Sequence, residues 1–535
     1  MYHLKSNHIM ATIKVKLRPS SVVGRAGNIF YQVTHRRATQ QITTNIRLQP
    51  NEWDAMNEQV STSFADRSLI QNRIDSDISL LKRIVKDLEN SGVNYSVGDI
   101  IKRYKSPECH VLVLDFMQNQ IRLLRNANRL GTALNYEKTM KNFVFISPNF
   151  PLTYWKFCRE LKNNGMRVLG IGDCPYDELM QELKDSLHEY YKVSSLENND
   201  EVFKAVAFFT FKYGKIDWLE SNNEYWLMRD AWLRTEFNIT TGPKLHEMDK
   251  IKYKSAMKEY YAKAGLPTAR YHLVEGLEDA LEFAHMVGYP VVVKPDNGVG
   301  ANNTYKLRSD DDVRWFIDTK DDNIYIMEEF VNGYVQTFDG IVDSQGNMLF
   351  ESGNITPLSL MDIVNDGGDS VYYLVKEIPE KVRKAGLATI ESFGVKSRFV
   401  HLEFFILNED QEGLGKKGDV LGLEVNMRPA GGFTPEMYNY SQETDVYKIW
   451  ADMIAFDCDT KGTGNHHYCA FYGRRDGKAY KLDDYEVMMK YGQKMVMWGR
   501  IPDALSGAMA NQMYVANFDT EEEMMAFYED LAAQY

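Results

Sequence analysis

Residues 421–429 read LGLEVNMRP, and apolar and polar side chains alternate along this stretch. Alternation with a period of two is typical of a β-strand that has one buried face. Glu424, Asn426 and Arg428 therefore share one face of the predicted strand, opposite the leucine, valine and methionine between them. This strand decides the interpretation of the chain, because its polar face combines a carboxylate, an amide and a guanidinium.

A second alternating stretch lies upstream. Residues 401–406 read HLEFFI, which places His401 and Glu403 on one face of another predicted strand. If the two strands pair through the polar segment 408–419, we expect Glu403 to lie beside Glu424 and its polar neighbours. The alternative is an exposed hairpin whose polar residues form only a solvated outer face.

The polar groups of this hairpin suit a nucleotide and its metal. Carboxylate and amide oxygens, here those of Glu403, Glu424 and Asn426, are ligands that Mg²⁺ prefers, with Mn²⁺ as an alternative. Such an ion would also use the phosphate oxygens of ATP. Arg428 would neutralise the charge that develops on a transferring phosphoryl group.

A lysine stands near the end of a short apolar stretch further upstream. Residues 289–295 read YPVVVKP, and residues 296–304, DNGVGANNT, follow as a loop of small residues. Such a loop lets backbone N–H groups, here around Gly298 and Gly300, approach phosphate oxygens, and Lys294 adds a positive charge. The helix-linked pattern GxxxxGK[ST] does not occur here, so this is not a P-loop. Alone, such a loop is more often a surface turn.

Taken in order, these motifs resemble the ATP-grasp family over about residues 140–535. The order is MDK at 248–250, the lysine with its loop, IMEEFVNG at 326–333, and then the two alternating strands. The resemblance implies an α/β (α+β multidomain) fold, in which a Rossmann-like βαβ domain precedes the grasp. It also implies an enzyme that uses Mg-ATP to activate a small-molecule carboxylate as an acyl phosphate, which an amine or another nucleophile then attacks.

The resemblance implies a role for each motif residue. The two lysines would contact ATP phosphates, the glycine-containing loop would close over them, and residues 328–331 would form a hinge against adenine. The resulting predictions are Lys250, Lys294, Gly298, Gly300, Glu328, Glu329, Phe330 and Val331 for the cofactor, Glu403, Glu424 and Asn426 for the metal, and Arg428 for catalysis.

The sequence departs from the family pattern at three points. Four extra residues separate Lys250 from the GLP at 265–267, which makes Lys254 a rival for the phosphate contact. Residues 334–336 read YVQ where many members have a ribose-binding acid. His401 stands where some members have an arginine. The identity of the first phosphate-binding lysine and of the ribose contact therefore stays open.

The first part of the chain has a different character. Residues 1–50 carry eight basic and no acidic side chains, although the whole chain has a net charge of −13. Residues 12–18 alternate as a strand, residues 29–34 form another, and residues 70–88 show helical spacing. With Trp53, these segments resemble the arm DNA-binding and core-binding domains of integrase-type tyrosine recombinases, which implies a partner of double-stranded DNA. The alternative is a basic sheet with solvated lysines and arginines.

The predicted organisation is an arm-like β domain at 10–57, a helical segment at 60–139, a nucleotide-fold domain at 140–246, an ATP-grasp domain at 247–460 and an α+β segment at 461–535. The five scattered cysteines and the lack of any apolar run of about 18 residues favour a reducing cytosol and no membrane. A homodimer is compatible with the sequence. The alternative function is a DNA-binding fusion protein whose ATP-grasp half is inactive or regulatory.

Two further sequence features concern the hydrophobic core and one loop. The aromatic residues Phe203, Phe208, Phe209 and Phe211 are predicted to belong to a hydrophobic core. Asp366 and the glycines after it form either a substrate loop or a simple turn.

Overall fold

The computed structural model describes residues 11–20, 25–61, 67–90, 95–104, 140–298, 303–357 and 368–535. The chain divides into two compact units, of which the first ends at Met140 and the second begins at Lys141. Among the described residues, no helix combines the length and apolarity that crossing a bilayer requires.

The first unit contains an antiparallel sheet whose strands lie in the order β1-β2-β3. Val15 on β1 is buried while Lys14, Lys16 and Arg18 are exposed, so the predicted alternation is confirmed. The helix predicted at 70–88 is also present, and residues 105–139 of the predicted helical segment lie outside the described residues. The elements are β1 Thr12–Arg18, β2 Gly27–His35, β3 Ala38–Leu48, β4 Trp53–Asp54, β5 Gln59–Val60, α1 Arg67–Asn90 and α2 Val97–Tyr104.

The second unit begins with a parallel sheet of order β8-β7-β6-β9. Its first strand, helix and second strand confirm the predicted βαβ unit. Phe209 is buried in its core, but Phe211 on the same helix is 92% exposed, so the prediction that Phe211 is a core residue was wrong. The elements are β6 Asn142–Ile146, α3 Trp155–Asn163, β7 Arg167–Gly172, α4 Gln181–Ser186, β8 Glu189–Lys192, α5 Asn199–Tyr213, β9 Trp218–Glu220 and α6 Leu227–Glu236.

A small antiparallel sheet of order β10-β13-β11-β12 follows. It carries Lys294 on β11, and the next strand along the chain, β12, lies at one edge of this sheet. The elements are α7 Asp249–Lys252, α8 Lys254–Lys263, β10 Tyr271–Leu273, α9 Leu277–Val287, β11 Val291–Pro295, β12 Tyr305–Leu307, α10 Asp310–Thr319 and β13 Tyr325–Glu329.

The largest sheet has nine strands, with β19-β18-β14 at one end and β22-β21 at the other. Trp450 joins it to the parallel sheet, since its ring lies 4.8 Å from Phe157 and 5.6 Å from Phe143 between centroids. The elements are β14 Gly333–Val342, β15 Met348–Ser352, β16 Asn354–Thr356, β17 Ser370–Leu374, α11 Glu380–Phe393, β18 Arg398–Leu407, β19 Val420–Asn426, α12 Thr434–Ser441, α13 Val446–Phe456, β20 Tyr468–Arg474, α14 Asp484–Tyr491, β21 Met495–Arg500, α15 Asp503–Met509, β22 Gln512–Phe518 and α16 Glu521–Ala532.

One close contact fixes α8 against the strand that carries Glu424. A Cβ added at Gly422 would lie 2.5 Å from the ring of Tyr261, which is fully buried. Because real Cβ atoms do not approach a neighbour this closely, the glycine allows the helix to pack directly on β19. We expect Gly422→Ala to lower the free energy of unfolding by about 1–3 kcal/mol, as overpacked cores do. Urea unfolding of the full chain measures this change.

The control for this substitution is Gly507→Ala. Gly507 lies in α15, and a Cβ added there has nothing within 4 Å. Alanine is favoured over glycine inside a helix by up to about 1 kcal/mol, so this variant should be neutral or slightly stabilised. Equal stability of the two variants would show that the Gly422 contact does not constrain the packing of α8.

Candidate active site

The two glutamates predicted to share a site lie directly opposite each other. Strands β18 and β19 pair in antiparallel fashion, with Glu403 opposite Glu424 and His401 opposite Asn426. The predicted pairing of the two strands is confirmed. The register shifts after Glu403, because the next residue, Phe404, pairs with Gly422. Leu423 is therefore the extra residue of a β-bulge on β19. This bulge was not predicted from the alternating pattern.

A largely buried histidine, His401, contacts the carboxylate of Glu403. His401 Nε2 lies 3.1 Å from Glu403 Oε1, and His401 Nδ1 lies 2.6 Å from Asp339 Oδ1. Asp339 is fully buried and accepts a hydrogen bond from Thr337 Oγ1 at 2.7 Å. Burial lowers the pKa of His401, but Asp339 and then Glu403 outweigh it and raise the pKa to about 9. The histidine is therefore a cation at neutral pH, shared between two carboxylates.

The same cation keeps Glu403 ionised. Burial raises the pKa of Glu403, but His401, Arg428 and Lys254 together bring it below its usual value. A carboxylate that stays charged although most of its side chain is buried needs such partners. Glu403 therefore presents an anionic oxygen toward the neighbouring strand at neutral pH.

A second ionic cluster joins the small sheet to α8. Glu328 Oε1 lies 2.5 Å from Lys258 Nζ, and Glu328 Oε2 lies 2.6 Å from Lys294 Nζ. Burial raises the pKa of Glu328, but the two lysines lower it to about 2. Burial lowers the pKa of Lys294, but Glu328 raises it, with further contributions from Glu424 and Glu403. The strand-end lysine and the paired glutamates therefore act on one another electrostatically.

The structure places Lys254, and not Lys250, beside these groups. Lys254 Nζ lies 3.2 Å from Glu424 Oε1 and donates to the Gly298 carbonyl at 3.1 Å. Lys250 Nζ instead donates to the carbonyl of Phe393, the last residue of α11, at 2.7 Å. The rival considered from the spacing is thus the one that lies in the cluster. Gly300 lies outside the described residues.

The side chain of Arg428 is held at three points. Its Nη2 donates to Asn426 Oδ1 at 3.2 Å, its Nη1 to the Pro429 carbonyl at 2.9 Å, and its Nε to Glu224 Oε2 at 3.1 Å. Glu224 lies four residues after β9 of the parallel sheet and also pairs with Lys252 at 2.6 Å. Sequence reasoning did not identify Glu224 or Lys252, because nothing local to either residue indicates a contact so far along the chain.

Other residues of the cluster were missed as well. Lys258 lies four residues after Lys254, so both occupy one face of α8, and this spacing could have indicated a second lysine. Asp339 had no such signal, because its partner His401 is 62 residues away.

Residues 328–331 connect the small sheet to the large one. Glu329 forms a two-bond pair with Arg270, with both distances 2.7 Å, and its backbone N–H donates to the Arg270 carbonyl. The Phe330 carbonyl accepts from Gln411 Nε2 at 2.7 Å, and Val331 is buried. Part of the predicted hinge is thus already bonded within the protein, so contact with adenine stays a prediction.

The oxygen atoms of this site fit a hard divalent cation. Glu403 and Glu424 each offer a carboxylate, and Asn426 offers an amide oxygen, which matches the ligands of Mg²⁺. Among the residues that the structure describes, no three histidine, cysteine, aspartate or glutamate side chains form a metal site by themselves. The protein therefore suits Mg²⁺ when other oxygen ligands, such as nucleotide phosphates, complete the coordination.

Comparison with known proteins identifies the two parts of the chain. Residues 249–364 match the family model of the carbamoyl-phosphate synthase L chain, ATP binding domain, and residues 28–101 match the Arm DNA-binding domain. The chain carries both domains. The predicted resemblance to the ATP-grasp family and to integrase-type arm domains is confirmed.

Solved structures of ligases share the fold of the larger unit. An L-amino acid ligase from Bacillus licheniformis is 16% identical with a TM-score of 0.53, and the match covers 73% of this chain and 96% of that one. An N5-carboxyaminoimidazole synthetase from Staphylococcus aureus, complexed with ADP, is 13% identical with a TM-score of 0.54, covering 73% and 98%. The larger unit has the ATP-grasp fold.

Relatives found by sequence match a smaller part of this chain than the solved structures do. The L-arginine-specific L-amino acid ligase of Bacillus subtilis is 25% identical over 53% of this chain and 67% of its own length. The carbamoyl phosphate synthase large chain of Thermotoga petrophila is 27% identical over 35% of this chain, and the match spans only 17% of that enzyme.

The charge on His401 gives a testable pH dependence. A histidine whose pKa rises on folding stabilises the protein below its unfolded pKa near 6.5, and this stabilisation is lost as the pH rises through the folded value of about 9. Between pH 7 and 9.5, without metal, the stability advantage of wild type over His401→Asn should shrink by about 2 kcal/mol. Urea unfolding at several pH values measures it.

The control for this experiment is His188→Asn. His188 is exposed, its Nδ1 accepts a hydrogen bond from the Val168 backbone N–H, and its pKa is lowered, so this histidine is neutral throughout the tested range. Its substitution should change stability by a constant amount from pH 7 to 9.5. A constant difference for His401→Asn as well would show that His401 is not charged in the folded protein.

Proposed function

We propose that the chain is a Mg-ATP-dependent ligase that activates a small-molecule carboxylate as an acyl phosphate and transfers the acyl group to an amine or another nucleophile. One observation carries the proposal. Glu403 and Glu424 lie opposite each other across two strands, and three lysines and an arginine surround them. That arrangement suits a triphosphate, its metal and a developing acyl phosphate.

In this proposal the lysines receive the phosphates. Lys254 and Lys258 lie on α8 and Lys294 lies on β11, and Lys254 pairs with Glu424 while Lys258 and Lys294 pair with Glu328. Phosphate oxygens would compete with Glu328 and Glu424 for these cations. Bound Mg²⁺, held by Glu403, Glu424 and Asn426, would supply charge neutralisation at the phosphate oxygens.

Arg428 would act on the reacting phosphoryl group. Its guanidinium lies next to Asn426 and is fixed on three sides, so two N–H groups can face a substrate. A donor that is already oriented stabilises developing negative charge without reorganisation. The C–N bond would form when an amine attacks the acyl carbon and phosphate leaves.

Relatives support the same reaction class. Proteins similar to this chain include an L-arginine-specific L-amino acid ligase and N5-carboxyaminoimidazole synthetases, whose names describe ligation. We therefore propose a carboxylate and an amine as substrates. A thiol is the alternative nucleophile.

We propose double-stranded DNA as a partner of the first unit. The match to the Arm DNA-binding domain and the exposed Lys14, Lys16 and Arg18 on one strand support this second function. Basic side chains on one face attract the phosphate backbone through counterion release. An inactive or regulatory ATP-grasp half is the alternative, and the assembled cluster of glutamates, lysines and Arg428 argues against it.

The ligase proposal predicts turnover that depends on Glu424. Full-length protein with Mg-ATP and pools of carboxylates and amines should release phosphate. Glu424→Ala should reduce this turnover by about 100-fold or more, because one metal and phosphate contact is removed. Glu380→Ala, an exposed glutamate on α11, is the control and should leave turnover unchanged. Equal turnover in wild type and Glu424→Ala would contradict the enzyme proposal.

The DNA proposal predicts a salt-dependent interaction. Binding of full-length protein to duplex DNA should fall steeply as salt increases, and replacing Lys14, Lys16 and Arg18 by alanine should reduce the slope of log K against log salt by about 3. Replacing Lys381 and Lys384 of the second unit by alanine is the control. Binding that is absent, or that does not respond to salt, would contradict this proposal.

A further inference from the structure

Glu224 lies at the edge of the parallel sheet where ligands usually bind. In the sheet order β8-β7-β6-β9, the chain places β7 and β8 in turn on one side of β6. It then crosses over and places β9 on the other side of β6, so the order of connections reverses between β6 and β9. In open sheets of parallel strands, ligands bind outside the carboxyl ends at such a reversal. Glu224 follows the carboxyl end of β9 by four residues.

The loop that carries Glu224 is firmly held. Ser221 donates to Asp230 Oδ2 from its backbone N–H at 2.9 Å and from its hydroxyl at 2.6 Å. Tyr154 donates to the Asn222 carbonyl at 2.7 Å, and Asn223 Oδ1 caps the turn that begins at Glu224. The position of the Glu224 carboxylate is therefore set by the parallel sheet and not by its ion pairs alone.

Glu224 lies between two cations from the other part of the unit. Its oxygens lie 2.6 Å from Lys252 Nζ and 3.1 Å from Arg428 Nε. All three side chains are mostly buried, with 17% of the Glu224 side chain, 7% of Lys252 and 18% of Arg428 exposed. Burial raises the pKa of Glu224, but Arg428 and Lys252 lower it below its usual value.

This arrangement has a consequence for Arg428. Two partly buried cations as close as Lys252 and Arg428 would repel each other, and the anion between them removes that repulsion. Glu224 also fixes the Nε edge of the guanidinium while Asn426 and Pro429 fix the other two nitrogens. A planar guanidinium with these three anchors has one orientation, and it takes no other bond from the residues that the structure describes.

We propose that Glu224 is a positioning residue, which orients Arg428 toward the phosphoryl group from the adjacent sheet domain, with Lys252 as the second cation of the same ion cluster. The inference rests on the proposed ligase function and deepens it. Glu224 does not touch the reacting atoms. It acts through Arg428, so its loss should affect the phosphoryl group and not the nucleotide.

The test uses the full chain with four variants, Glu224→Gln, Lys252→Met, their combination and the control Glu189→Gln. Glu189 is also a glutamate of the parallel sheet paired with a lysine, Lys212, at 2.8 Å, but it takes no part in the cluster around Arg428. Calorimetry measures the affinity for MgADP and then for inorganic phosphate added to the MgADP complex. Turnover is measured with the carboxylate and amine pool that the wild type uses.

Glu224→Gln should keep the affinity for MgADP within about twofold of the wild-type value. It should weaken the binding of inorganic phosphate by about tenfold and lower kcat by about 100-fold. The added Lys252→Met change should recover part of kcat, because it removes the repulsion on Arg428. Glu189→Gln should match the wild type in all three measurements. A merely structural role would lower the melting temperature and weaken MgADP and phosphate alike.

Two results would overturn the inference. If Glu224→Gln kept the wild-type kcat and phosphate affinity, Arg428 would not depend on Glu224. If the variant lost affinity for MgADP and for inorganic phosphate equally, the role of Glu224 would not be specific to Arg428. Wild-type protein that binds no MgADP and shows no carboxylate-dependent turnover would instead overturn the ligase proposal, and the inference with it. The wild-type measurement therefore separates failure of the function from failure of the positioning role.

Discussion

The structure of the site depends on one electrostatic constraint, which is that two carboxylates occupy directly opposite positions on paired strands. Like charges directly opposite each other destabilise a sheet. A cation lies beside each carboxylate and offsets this repulsion, His401 for Glu403 and Lys254 for Glu424. The buried Asp339 keeps the histidine charged. Because Asp339 lies on β14, the constraint extends to a third strand of the sheet.

The same balance of charges recurs where the small sheet meets α8. Glu328 is buried between Lys258 and Lys294, and each ion is stable because of the others. Such a cluster keeps its lysines in place. In the proposed function, an incoming phosphate would take over their positive charges, so burial and charge pairing would orient these cations before a nucleotide binds.

Part of this architecture could be predicted from sequence, and the reasons are physical. Strands β18 and β19 and their pairing could be predicted from alternating polar and apolar residues, because each strand has one buried face. The bulge before Glu424 could not be predicted, since the pattern of polar and apolar residues continues through it. Phe211 was misassigned because apolar character alone does not distinguish a core position from the exposed face of a helix. Glu224 was missed because it is 204 residues from Arg428 and no short motif encodes that contact.

The choice between the lysines has a local cause. Lys250 and Lys252 lie on α7, Lys254 and Lys258 lie on α8, and Tyr253 between the helices has extended backbone angles of φ −95° and ψ 119°. A continuous helix would place side chains four residues apart on one face. The single extended residue breaks that register, so one lysine meets the end of α11, another meets Glu224, and the two on α8 meet the glutamates of the site. The backbone conformation of Tyr253 thus decides which group each lysine contacts, and spacing in the sequence left the choice between Lys250 and Lys254 open.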